Sequence, residues 1–152
     1  MTFVVPFDGS ALSRAALERA GEYAEAFDED VVAVSVVSER RRYAREKGWI
    51  EADEEFDLES VIEDLGEWVR ETVPDAEFDY ERIREYPPVE QIAEHVQTLI
   101  ERHDPTVVFL GSDNVGGIVT PVSSVGAHVT ADEAYDVYIV CHPGASTPDY
   151  LQ

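Results

Sequence analysis

TFVVPFDGSALSRAALERAGEYAEAFDEDVVAVSVV, residues 2–37, decides how the rest of the chain is read. It opens on an apolar run, Thr2 to Phe7, suited to a buried strand. DGS follows, where Ser10 can cap a helix. Leu12, Ala16, Ala20, Tyr23 and Phe27 then step by four, four, three and four, which predicts a helix with those five residues on one face. Asp28-Glu29-Asp30 ends it, and Val31 to Val37 is a second continuous apolar strand. Strand, helix, strand at this spacing is a βαβ unit, the building block of a parallel sheet covered by helices on both faces.

Working outward, the alternation continues. Residues 39–57 are polar and densely charged with little periodicity, and read as a charged loop or a lid. Leu58, Ile62, Leu65 and Val69 mark a second helix, ending before Pro74. Ala76 to Tyr86 alternates apolar or aromatic with charged residues, which predicts a strand exposed on one face at a sheet edge. Val89, Ile92, Val96 and Leu99 stripe a third helix that stops near Pro105. Thr106 to Gly111 is the fourth strand, Ser124 to Thr130 a short helix, and Asp136 to Val140 the fifth strand. Residues 141–152 read as an irregular tail, and residues 1–152 as one domain.

Charge is the strongest compositional signal: 33 Asp and Glu stand against 11 Lys and Arg, a net charge of -22. Such a surface disfavours nucleic acid and anionic membranes as partners. Lys47 is the single lysine, and the acids are spread along the whole chain, a pattern that resembles proteins of extreme halophiles. At ~1 M salt the Debye length is about 3 Å, so such a surface largely stops repelling itself. The lone Cys141, no long apolar run and an N-terminus without a basic region together point to the cytoplasm.

In an open α/β sheet, ligands sit outside the carboxyl ends of the strands, at the point where the winding reverses. The relevant ends here are Pro6-Phe7-Asp8, Val36-Val37-Ser38 and Leu110-Gly111-Ser112. A phosphate-accepting receiver domain would need an acidic cluster after the first strand and a lysine after the fifth. Asp8 stands alone in sequence and Lys47 lies in the wrong place for that role. No GxxxxGK[ST] and no GxGxxG occur. His95, His103, His128 and His142 form no metal-ligand pattern, and Asp8 has no visible catalytic partner. Trp49 and Trp68 read as packing residues, and Cys141-His142 as an unremarkable pair of neighbours at a strand end.

Three segments carry a family resemblance: VVPFDGSALSRAALERAGEYA, TVVFLGSD and SSVGAHVTADEAYDVYIV. In that order they resemble the universal stress protein family, over the whole chain except residues 39–57. The resemblance implies a five-stranded parallel sheet in the order 3-2-1-4-5, Rossmann-like and akin to the adenine nucleotide alpha-hydrolase fold. It implies a homodimer formed through the strand at 136–140. It also implies an adenine nucleotide, ATP or AMP-like, with Mg2+ as a bridging ion. The contacts implied are Pro6, Phe7, Asp8 and Val36 around the adenosine. Leu110, Gly111, Asn114, Ser123, Ser124 and Val125 follow around ribose and phosphates.

The chain departs from the family pattern in that loop. Asn114 stands where the family has glycine, and Ser123-Ser124 where it has a glycine followed by serine or threonine. Asn tolerates positive φ better than other non-glycine residues, so the turn is expected to survive. Asp113 replaces the expected basic character, and no Lys or Arg follows Asp104. Three readings therefore stand: an adenine-nucleotide binding module, an interaction module that keeps the fold without the nucleotide, and a slow ATPase for which no catalytic group is identified.

Overall fold

The computed structural model describes residues 2–51, 55–85, 87–112 and 135–142. Five strands and four helices follow in the order β1 (Thr2–Pro6), α1 (Ala11–Phe27), β2 (Asp30–Ser38), α2 (Arg41–Glu46), α3 (Leu58–Thr72), β3 (Glu77–Ile83), α4 (Val89–Arg102), β4 (Val107–Gly111) and β5 (Asp136–Val140). The strands form one sheet, all pairs parallel, in the order β3-β2-β1-β4-β5. The predicted topology is the one found. The helix expected at 124–130 and the tail from 143 onward lie outside the described residues.

The sheet is apolar on both faces because β1, β2 and β4 are continuous apolar runs, whose alternate residues serve opposite sides. Phe3, Val5 and Phe7 join Ala33, Val37 and Phe109 in one core under α1 and α3. Val4, Val32, Val34, Val36, Val108 and Leu110 join Val96, Leu99 and Ile100 of α4 in the other. The side chain of Val89, counted in the predicted α4 stripe, lies outside the described residues.

The buried face of α1 is turned from the one predicted. Ser13, Ala16, Leu17, Ala20 and Ala24 are buried, whereas Tyr23 is 37% and Phe27 68% exposed. Ala16, Ala20 and Ala24 repeat every four residues, and a ridge of small side chains lets the helix axis approach the sheet closely. Bulky Tyr23 is displaced to the flank, where its ring meets Phe109 and Tyr138 at 5.8 and 5.5 Å. Apolar spacing located the helix, but side-chain size chose its inner face.

β3 is an edge strand as predicted, shorter than the expected Ala76–Tyr86. Neither of its faces is simply open. Phe78 packs toward α3, and on the opposite side Glu81 and Asp79 meet His95 and His103 near α4 at 3.1 and 2.8 Å. Charged strand residues are thus partly covered by polar partners, a pattern that hydrophobic alternation does not encode.

Candidate functional site

The ladder between β1 and β4 is short. β1 and β4 pair only at Phe3↔Val107 and Val4↔Val108, although β1 continues to Pro6 and β4 to Gly111. Backbone parity explains the parting. The Phe7 amide donates to the Val34 carbonyl at 2.8 Å, so odd residues of β1 address β2. The Thr2 carbonyl accepts from the Thr106 amide at 2.9 Å, so even residues address β4. Residue 6 would therefore offer the next amide to β4, and proline has none. The ladder therefore stops short at the point where the chain winds leftward to β2 and rightward to β4, the place where an open α/β sheet has its crevice.

Asp8 stands at the lip of this crevice; continuing the β1–β2 register by two residues brings it level with Val36. Its position is fixed by a tight Asx turn. The Ser10 amide donates to Asp8 Oδ1 at 3.0 Å, and Ser10 Oγ in turn accepts from the Ser13 amide at 3.2 Å, capping α1 as predicted. Gly9 sits at φ 80, and a Cβ there would lie 2.7 Å from the Trp68 ring, so only glycine fits. Trp68 is overlaid by the Arg14 guanidinium at 4.8 Å, and Arg14 Nε donates to the Gly9 carbonyl at 3.0 Å.

The segment after β2 corrects two sequence readings. Residues 39–50, within the segment read as a charged loop or lid, are not irregular throughout: they contain α2, and Tyr43, Ala44 and Ile50 are buried. Nor is Asp8 without a partner. Lys47 Nζ donates to Asp8 Oδ2 at 3.3 Å, and Trp49 Nε1 donates to the Asp8 carbonyl at 2.8 Å. Tyr43 Oη donates to the Val36 carbonyl at 3.1 Å. Ser38 pins the start of this strap, donating to the Glu85 carbonyl at 2.7 Å and accepting from the Arg40 amide at 3.1 Å. Both tryptophans pack as expected, but both pack at the rim of the site.

Burial alone would raise the Asp8 carboxyl pKa. The Lys47 ammonium and the hydrogen bonds from Ser10 and Ser13 outweigh it and hold the group below its ordinary value. Asp8 is therefore an anion at neutral pH, with its side chain 18% exposed beside a lysine that is 33% exposed.

Of the predicted contacts, Pro6, Phe7, Asp8, Val36, Leu110 and Gly111 are brought together at adjacent strand ends. All but Asp8 are buried. The Phe7 ring belongs to the core beneath α1, and Val36 lies under Tyr43. Asn114, Ser123, Ser124 and Val125 lie outside the described residues. Sequence reasoning missed Lys47, Trp49 and Tyr43 as neighbours of the site. The available signal was the cation density: Arg40, Arg41, Arg42, Arg45 and Lys47 are five of the chain's 11 cations. With Arg14, Arg82 and Arg84, eight of the 11 lie at or just beyond the carboxyl ends of the strands. A groove of about 440 Å³ at the far end of α1 is lined instead by Glu18, Glu22 and Glu25.

The family model for universal stress proteins matches residues 1–136. The chain belongs to the universal stress protein family. Solved structures are similar to it. One, a universal stress protein crystallised in complex with cAMP, is 20% identical with a TM-score of 0.50, covering 93% of this chain and 97% of that one. The hypothetical protein MJ0577 is 17% identical with a TM-score of 0.54, covering 91% and 94%. A universal stress protein from Archaeoglobus fulgidus is 16% identical with a TM-score of 0.48, covering 93% of each chain. No curated protein matches the chain. Among the described residues of this universal stress protein no helix is long and apolar enough to cross a membrane, and no group of three or more His, Cys, Asp or Glu is gathered as metal ligands.

Proposed function

We propose that this universal stress protein is a binding module for an adenine nucleotide, ATP or AMP-like, held in the crevice between β1 and β4. The observation that carries the reading is the parting of these strands at Pro6 with an anionic Asp8 at its lip. Asp8 accepts hydrogen bonds from ribose hydroxyls. Gly111 leads the chain toward the phosphates, with Asn114, Ser123, Ser124 and Val125 as further contacts. Mg2+ accompanies a triphosphate as a bridge between its oxygens. Binding rather than catalysis is the reading, supported by the commitment of Asp8 to Lys47 and Ser10.

The test is equilibrium binding of adenosine, AMP and ATP to the full chain at molar salt, with and without Mg2+. Nucleotide released from freshly purified protein on denaturation is the complementary measurement. Saturable binding of AMP or ATP supports the reading; its absence at every salt concentration sinks it.

A second reading, an interaction module without nucleotide, is favoured by the ties of Tyr43 and Lys47 to the carbonyl of Val36 and the carboxylate of Asp8. In either case we place a homodimer contact along β5, an edge strand whose Ile139 is 37% exposed. Light scattering on wild type and Ile139→Lys tests it; an unchanged mass argues against that contact.

A further inference from the structure

The strap and the proposed ligand compete for the same groups. Lys47 occupies the Asp8 carboxylate, Trp49 the Asp8 carbonyl and Tyr43 the Val36 carbonyl. Asp8 and Val36 are also where the adenosine is expected. A neutral ligand that takes Asp8 Oδ2 in place of Lys47 leaves the ammonium without an anion. A phosphorylated ligand brings an anion of its own.

We infer that Lys47 is an exchangeable counter-charge: it pairs with Asp8 and, when a nucleotide binds, transfers to one of its phosphoryl oxygens. This rests on the adenine-nucleotide reading and adds to it the means by which phosphorylated ligands are selected over nucleosides. Four further observations support the exchange. Lys47 sits on the turn just after α2, one-third exposed, on a flexible four-carbon stem that can swing without moving the strap. The segment beyond Gly111 carries no lysine or arginine, so a charge for the phosphates must come from elsewhere in the fold. The cations at the strand tips are concentrated in residues 40–47, beside the crevice. Trp49 stays in place through its bond to the Asp8 carbonyl, so the site is not dismantled when the ammonium leaves.

The experiment compares the affinities of adenosine, AMP and ATP for wild type, Lys47→Gln, Lys47→Arg and the control Arg102→Gln, all at one salt concentration. Arg102 pairs with Asp79 on β3 at 3.2 Å, well away from the crevice, and its loss matches the change in net charge. In wild type AMP binds more tightly than adenosine. Lys47→Gln is expected to shrink that preference about tenfold, the size of one charge-assisted hydrogen bond. It does so from both sides, weakening AMP and strengthening adenosine, because Asp8 is no longer pre-paired. Lys47→Arg restores most of the preference and Arg102→Gln leaves it intact. A preference unchanged in Lys47→Gln, or equal losses for all three ligands, overturns the exchange while leaving the nucleotide site standing. If wild type binds none of the three, the adenine reading fails and the exchange fails with it.

Discussion

Lys47 Nζ stands 3.3 Å from Asp8 Oδ2, joining residues 39 apart in sequence. The only lysine of a strongly acidic chain is thus spent on the carboxylate that the first strand delivers to the mouth of the sheet. That pairing makes the strap sensitive to acid. The folded-state pKa of Asp8 lies below its unfolded value, so its contribution to stability is complete above about pH 4 and is lost as pH falls through the folded value. Protection factors of residues 43–49, which discount the intrinsic slowing of amide exchange in acid, are expected to fall across that range ahead of those of β2. The Lys47→Gln variant should show the faster exchange already at neutral pH; equal protection in both proteins would remove the latch.

Pro6→Ala tests the origin of the crevice. The new amide faces β4 and is expected to extend the β1–β4 ladder. Stability should change by less than about 1 kcal/mol, since a gained hydrogen bond roughly offsets the looser unfolded chain. Nucleotide affinity should fall several-fold. A residue 6 amide that exchanges freely with solvent would show that the strands part for another reason.

Gly9→Ala is expected to cost at least about 2 kcal/mol, combining a positive φ with a Cβ 2.7 Å from Trp68. Denaturant unfolding measures the loss, and a shift in tryptophan emission reports displacement of the Trp68 ring. Full stability would mean that the turn after β1 adjusts freely, and Asp8 with it.

Gly21→Ala separates helix propensity from packing. In a free helix the change gains up to about 1 kcal/mol. Here the added methyl meets Val73 Cγ2 at 2.7 Å, so a net loss of about 1 kcal/mol is expected. Adding Val73→Ala makes room, and the double variant should be more stable than the sum of the single effects by at least about 0.5 kcal/mol. Strict additivity would place the clash elsewhere.

A net charge of -22 predicts a folded state that is steadied by salt. The unfolding midpoint is expected to rise steeply between ~0.1 and ~2 M KCl as self-repulsion is screened. A flat response would separate the acid excess from any adaptation to brine.

How much of this was legible in the sequence depends on the residue. The apolar runs at 2–7, 31–37 and 106–111 made the parallel sheet readable, because a strand buried on both faces is apolar at nearly every position. The cap at Ser10 was readable because its geometry is local. The inner face of α1 was not, since Ala ridges and Tyr23 differ in size rather than polarity. The pairing of Asp8 with Lys47 was hidden for a different reason. Residues 39–50 have no period to follow, and their place is set by single anchors, Ser38, Tyr43 and Trp49, that act through space. The role of Pro6 required knowing which neighbour each amide faces, and that exists only once the sheet is assembled.

The crowding of cations at one end of so negative a molecule gives it a front and a back. From afar an anion meets a repulsive body, and it comes under the influence of the cations at the strand tips only within about a Debye length of them. Arrival of a charged metabolite should therefore quicken as ionic strength climbs, contrary to the slowing seen for proteins that attract their ligands from a distance. Salt would then govern the pace of recognition as well as the stability of the fold.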